Sequence, residues 1–380
     1  MAQYDLIVRQ GTVVDPSQGM HARKDVAVMA GRIAAIEDAI PETPGCRVLD
    51  ARDRVVTPGL VDLHVHAFAG GSDFGIDADT YCLPRGVTTV LDAGTCGAIH
   101  WPIFHQAILR PAHTRMFALL NLSAIGLPAA GELRDIQWAD AKRAADTVQA
   151  HRDTLVGLKV RLSPSAAGSN AREALTRALE AADRARVPLM IHPTHSQELP
   201  MGEILDRMRP GDIFTHCFSR AAIDALDGVR PAARAARARG VRFDVAHGSG
   251  NFCFAAAEKA LDQGFLPDTI SSDLHAFNIL GPVHDLPTVM AKFLLLGLSL
   301  DQVVALATWH PGRLLRDDGL LGTLRVGAPA DVAVFHLRQG SFEFKDTGGE
   351  CRNGRVRLEP VAVVREGTVL GASSVQGATA

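Results

Sequence analysis

Eight apolar runs recur between residues 56 and 275, and nothing else in the chain restricts its fold as strongly. They are VTPGLVDLHVH (56–66), VTTVLDAG (87–94), RMFALLNLSAIG (115–126), VGLKVRLS (156–163), PLMIHPTH (188–195), DIFTHCF (212–218), VRFDVAHG (241–248) and DTISSDLH (268–275). Runs that are apolar on both faces belong to parallel strands covered by helices. The segments between them fit that role: NAREALTRALEAADRAR (170–186), for example, carries its apolar residues at helical spacing. Eight strand–helix units in roughly 260 residues match a closed (β/α)8 TIM barrel of α/β class. A doubly wound open sheet would need a glycine-rich dinucleotide loop after an early strand, and the chain has none.

The two ends read differently. Up to about residue 56, and again from about 320, short β-like runs alternate with Gly, Pro and Asp turn signals. The expected layout is a small β-sandwich domain formed by both chain ends, 1–56 with 320–380, beside a barrel of residues 57–319. A formal net charge of −3 provides no field to attract nucleic acid or a membrane surface. No apolar run approaches the roughly 20 residues that span a bilayer. The six cysteines include no CxxC pair, which suits a reducing compartment. The N-terminus lacks a signal-peptide profile. A cytoplasmic protein acting on a small molecule is expected, without nucleic-acid or membrane partners; a homo-oligomer is compatible with this composition.

The chemistry gathers at the ends of the runs. His64 and His66 lie two apart at the end of the first, so one strand face carries both imidazoles, a pairing that suits a metal. Alone, such a pair could be a hydrogen-bonded couple. Lys159 sits inside VGLKVRL, where a lysine facing the core is costly unless paired or modified, and a closed barrel offers no edge strand for it. His192 and His216 end later runs, and Asp273 follows TISS. Their spacing corresponds to one, one and two strand–helix units, which puts all six side chains on one rim of the barrel. Six such groups are hard to explain as packing.

PGLVDLHVH, followed by Lys, His, His and Asp at successive strand ends, resembles the binuclear amidohydrolase superfamily, which includes dihydroorotases, hydantoinases and N-acyl-amino-acid deacylases. WHPGRLL and LGTLRVGAPADVAVF near the C-terminus also look like that superfamily. The resemblance implies two divalent metal ions, zinc expected. His64, His66 and Asp273 would hold one, and His192 and His216 the other. Lys159 would be carbamylated and bridge both, because an ammonium cannot ligate whereas a carbamate offers two oxygens. Water bridging the metals would lose its proton near neutral pH and attack as hydroxide, with Asp273 as catalytic base and then acid. Such a centre carries about one net positive charge, which favours a substrate bearing a carboxylate.

Four further residues are expected to bind substrate. Arg161 shares the face of Lys159 and could clamp a carboxylate, or else form a salt bridge to a neighbouring strand end. His275 stands in the same relation to Asp273 and could donate a hydrogen bond. His195 lies on the loop after His192, as a contact or a support, and Asn251 follows the seventh run, with His247 beside it as a further candidate. Cys217 points to the opposite face from His216 and packs against a helix, and the arginines of 230–242 form a solvated helix face.

Dihydroorotases continue HxH as HxHxR, whereas here the corresponding residue is Phe68. KVRLS and THCF look more like a subgroup of deacetylases associated with acetyl esters of α-hydroxy acids such as acetyl-(R)-mandelate. A metal-dependent deacetylase of that kind is the expected function. The alternatives are an N-acyl-amino-acid deacylase, a cyclic-amide hydrolase of dihydroorotase or hydantoinase type and, remotely, a non-catalytic binding homologue, which would have shed ligands that are all present here.

Overall fold

In the computed structural model, residues 4–193, 198–220, 229–315 and 318–370 are described. The chain opens with β1 (Leu6–Asp15), β2 (Met20–Met29), β3 (Arg32–Glu37), β4 (Arg47–Asp50) and β5 (Val55–Pro58). Seven parallel strands follow, paired in chain order: β6 (Leu60–Val65), β7 (Val87–Ala93), β8 (Arg115–Asn121), β9 (Leu155–Arg161), β10 (Leu189–His192), β11 (Ile213–Phe214) and β12 (Arg242–Phe243). Residues 269–274 close the ring. Thr269 bridges to Asp244 and Leu274 to Val65, both in parallel, and the amides of Val245 and His66 donate to Thr269 and Leu274. This is the eight-membered barrel read from the sequence.

Alternation along these strands sorts the side chains. Val61, Leu63, Leu91, Phe117, Leu119, Met190 and Ile213 fill the barrel interior together with Leu315 and Leu321. Leu158, Val160, Leu189, Ile191, Phe214 and Phe243 face the surrounding helices. The helix Ala171–Ala185 buries Ala174, Ala178, Ala181 and Ala185, short side chains that let its backbone approach the sheet closely. No helix is long and apolar enough to cross a membrane, among the described residues.

The last strands, β13 (Val332–Lys345), β14 (Cys351–Arg365) and β15 (Thr368–Leu370), return to the first sheet. β13 pairs antiparallel with β5, Val332 opposite Pro58 and Phe335 opposite Val55. The result is the small β domain built from both chain ends, its strands ordered β15-β14-β13-β5-β1-β2-β3 with β4 also on β1. It curls over a shared core in which Val26, Val28 and Ile33 meet Val332, Val334 and Val364. The curl brings the β2–β3 turn at Gly31 against Glu366, and a side chain on Gly31 would stand 3.0 Å from that residue's carbonyl oxygen. β5 runs to Pro58 and Leu321 packs in the barrel base. The chain passes from one sheet to the other at Gly59.

Strand alternation fails at the upper rim. His216, Ala246 and Asp273 adopt φ of +63°, +39° and +52°, a left-handed region that residues other than glycine rarely enter. Such strain is held in place only by surrounding structure and gathers at functional sites. Here it turns the side chains of His216 and Asp273 toward the barrel axis.

Candidate active site

Four imidazoles, one amine and one carboxylate meet at the top of the barrel. Lys159 Nζ lies 3.0 Å from His64 Nε2, and His216 Nε2 lies 2.9 Å from His192 Nδ1. Asp273 Oδ1 is 3.2 Å from His66 Nε2 and 3.5 Å from His64 Nε2. Ligand atoms of His64, His216 and Asp273 all lie within 4.8 Å of one another. The six residues read from the sequence as metal ligands are thus brought together around one space.

Three of the four rings are oriented from behind. His64 Nδ1 meets Thr215 Oγ1 at 3.0 Å, and Thr215 donates to Asp244 at 2.9 Å. His66 Nδ1 meets Thr95 Oγ1 at 2.8 Å, and His216 Nδ1 donates to the Ala246 carbonyl at 2.8 Å. The Nε2 atoms of all three therefore aim into the space, as ring orientation at metal sites requires. Buried aspartates brace the strands beneath. Asp62 accepts from the amides of His64 and Ser272, and Asp92 from those of Ala67 and Thr95.

Burial sets the protonation. It pushes His64 and His192 well below the usual imidazole range and His216 down to about 4. Burial also lowers Lys159 to about 7. For Asp273 burial acts upward, but the surrounding His64, His66, His275 and His216 outweigh it and hold the carboxyl well below the usual range. Neutral imidazoles clustered this closely, beside an ionised carboxylate, gather nitrogen and oxygen donors about one point. That donor set fits divalent cations.

Above it lies a cavity of about 290 Å³ walled by Phe74, Leu127, Phe277, Arg161, His275 and Asn251. Arg161 lines this cavity and is paired with a carboxylate behind it. Its Nη1 lies 3.3 and 3.5 Å from the two oxygens of Glu132, and its guanidinium carbon is 5.6 Å from the centre of the Phe74 ring. His275 Nδ1 accepts from the Phe277 amide at 3.2 Å, so its proton sits on Nε2, which faces Ser249 Oγ at 3.3 Å. Burial lowers this imidazole to about 4.

His195 lies outside the described residues. His247 is a correction: it is fully buried, lies outside the cavity lining and stacks on Phe252. Its ring turns inward because Lys292 binds it from behind, at 2.7 Å. Phe68 packs on Phe104 in the core, so no cation takes the place of the dihydroorotase arginine there. Cys217 is buried in the outer layer, as read.

Sequence reasoning missed Glu132, Phe74, Phe277 and Thr215. The first three lie on loops that have no periodicity. Asp62, Asp92 and Asp244 carried the same signal as Lys159, a charge inside an apolar run.

Comparison with known proteins agrees with this geometry. The amidohydrolase family matches residues 55–370. A deacetylase of Agrobacterium fabrum is 35% identical over 349 residues, covering 90% of this chain and 85% of the relative. A deacetylase of Brucella anthropi is 34% identical, covering 87% and 83%. Among solved structures, one described as a dihydroorotase superposes with a TM-score of 0.89 at 33% identity, over 97% of this chain and 98% of its own. One described as an adenine deaminase has the same score at 30% identity, covering 97% and 100%. A buried cluster of metal-ligand type, a barrel closed around it and a family match over most of the chain agree: this chain is a hydrolase and belongs to the amidohydrolase family.

Proposed function

We propose that the chain is a deacetylase that cleaves the acetyl ester of a small α-hydroxy acid, with acetyl-(R)-mandelate as the type of substrate. The observation that carries this reading is the wall of the cavity. A guanidinium and an aromatic ring, Arg161 and Phe74, stand side by side above the cluster. A compact acid with an aryl group on its α-carbon offers a carboxylate to the first and a ring to the second. Two deacetylases about one-third identical over most of the chain lend support.

His64, His66 and Asp273 would hold one ion and His192 and His216 the other, with Lys159 as a bridging carbamate. A lysine whose pKa burial lowers to about 7 is partly neutral, and the neutral amine is the form that adds carbon dioxide. Two divalent ions, zinc in this reading, polarise a carbonyl and lower the pKa of water when bound. Asp273, ionised at neutral pH, accepts the proton of the attacking water and delivers it to the leaving alkoxide. Arg161 holds the carboxylate so that the acetyl carbon faces Asp273, and His275 donates its Nε2 proton toward the substrate. Phe74, Leu127 and Phe277 reduce the water around the bond that breaks.

The test is kcat/KM of zinc-loaded protein on a matched panel. It pairs an O-acetyl α-hydroxy acid with its N-acetyl amino-acid analogue, in both enantiomers, with dihydroorotate alongside. Preference for one enantiomer of the ester is expected. Turnover of the amide alone would make the chain an N-acyl-amino-acid deacylase. Turnover of the ring alone would move it to the cyclic-amide hydrolases and overturn the ester reading.

A further inference from the structure

Lys292 lies within the helix Leu286–Leu295, is buried, and forms no salt bridge with a carboxylate among the described residues. Its Nζ makes three contacts: His247 Nε2 at 2.7 Å, the Pro282 carbonyl at 2.9 Å and the Lys345 carbonyl at 2.8 Å. His247 Nδ1 donates to the Gly248 carbonyl at 2.9 Å, which leaves Nε2 as the acceptor of a Lys292 proton. One lysine side chain therefore joins the start of the loop after β12 to the far end of β13.

On the barrel side, the Gly248 amide donates to the Ser272 carbonyl at 3.0 Å and Ser249 Oγ faces His275 Nε2 at 3.3 Å. Ser249 lines the catalytic cavity on one side and, on the other, a cleft of about 750 Å³ bounded by Lys292, Phe344, Lys345 and Thr347. Ser249 thus stands between two spaces and Gly250 and Asn251 face the first, so the segment has little side-chain packing on its open faces. The β13–β14 turn holds the loop's other end. Thr347 Oγ1 donates to the Phe252 carbonyl at 2.7 Å and its amide donates there at 3.1 Å, while Asp346 accepts from the Phe254 amide at 3.2 Å. The loop's position matters to the site. A side chain on Gly248 would stand 2.4 Å from Asp273 Oδ2 and 2.9 Å from Asn251 Nδ2.

We infer that Lys292 is a positioning residue: through His247 and the β13–β14 hairpin it holds residues 248–251 as the substrate-facing wall, making the small sheet a working part of the site. The function proposed above supplies only the substrate with which KM is read.

The experiment compares Lys292→Met and Thr347→Val with the parent protein by hydrogen exchange, metal content and steady-state kinetics. Amides of 248–254 are expected to exchange about tenfold faster or more in Lys292→Met, and by a smaller factor in Thr347→Val. KM should rise about fivefold or more with kcat within about threefold and metal content unchanged. Unchanged exchange across 248–254 in both variants would overturn the proposal, even with a lower melting temperature. So would a fall in kcat that tracks lost metal. If Lys292→Met does not fold, His247→Phe decides the matter, since it removes the imidazole through which the lysine acts and leaves the lysine its two carbonyl partners. Exchange needs no substrate, so failure of the acetyl-ester reading would leave this result standing, with KM then measured on whichever panel member turns over.

Discussion

Arg161 shows how one residue can be both structural and available to a ligand. Glu132, fully buried, would be costly unpaired, and a single nitrogen of Arg161 answers both its oxygens at 3.3 and 3.5 Å. The remaining guanidinium donors have no protein partner among the described residues and face the cavity. Replacing Arg161 with Met should therefore raise KM for a carboxylate-bearing ester about tenfold or more, the scale of one charge-assisted hydrogen bond of ~1.5–3 kcal/mol. A neutral ester should be much less affected. Glu132→Gln should act in the same direction but more weakly, because the anchor keeps its shape and loses its charge. Equal effects on both esters would remove Arg161 from the substrate site.

At the scale of the element, what matters is where strand geometry ends. Gly248 combines φ +57° with its position against Asp273. Gly248→Ala should cost roughly 1–2 kcal/mol for the left-handed backbone and, by displacing the carboxylate, lower kcat about tenfold or more. Gly211→Ala, at φ +88° with nothing within 4 Å, is the control: it carries the same kind of backbone cost and should leave kcat unchanged. Similar kcat values in the two variants would show that the approach to Asp273 is unimportant. These elements also mark what can be read from sequence. Lys159 and His192 were legible because a polar residue inside an apolar run has few bland explanations, and alternation correctly places Lys159 with Arg161 on one face. His216 and Asp273 were found by position, but the left-handed backbone that aims them leaves no trace in residue type. Lys292 was illegible for the opposite reason, since a lysine on a helix ordinarily reaches solvent. The order of strands in the small β domain was illegible because strand texture does not reveal which strands pair.

For the whole molecule, the buried imidazoles give a pH dependence with a definite sign. Burial holds His64, His192 and His247 well below 6.5, and His216 and His275 at about 4. Unfolded, these groups take up protons as pH falls below about 6.5, while the metal-free folded chain resists, so its stability drops. Asp62, raised by burial to about 7, and Asp244, also raised, act oppositely. Two carboxyls against five imidazoles leave the downward trend. The melting temperature of chelator-treated protein should fall steadily from pH 6.5 toward 4, and a flat or rising profile would contradict the neutral-imidazole description.

The pairing of β5 with β13 also bears on synthesis. The first five strands leave the ribosome with one sheet edge open, and its partner is not made until the whole barrel has been translated. At about 5–20 residues per second that edge waits roughly a quarter of a minute to a minute, exposed to any other nascent strand. The length of that interval is set by where β13 lies along the chain rather than by the stability of the finished fold.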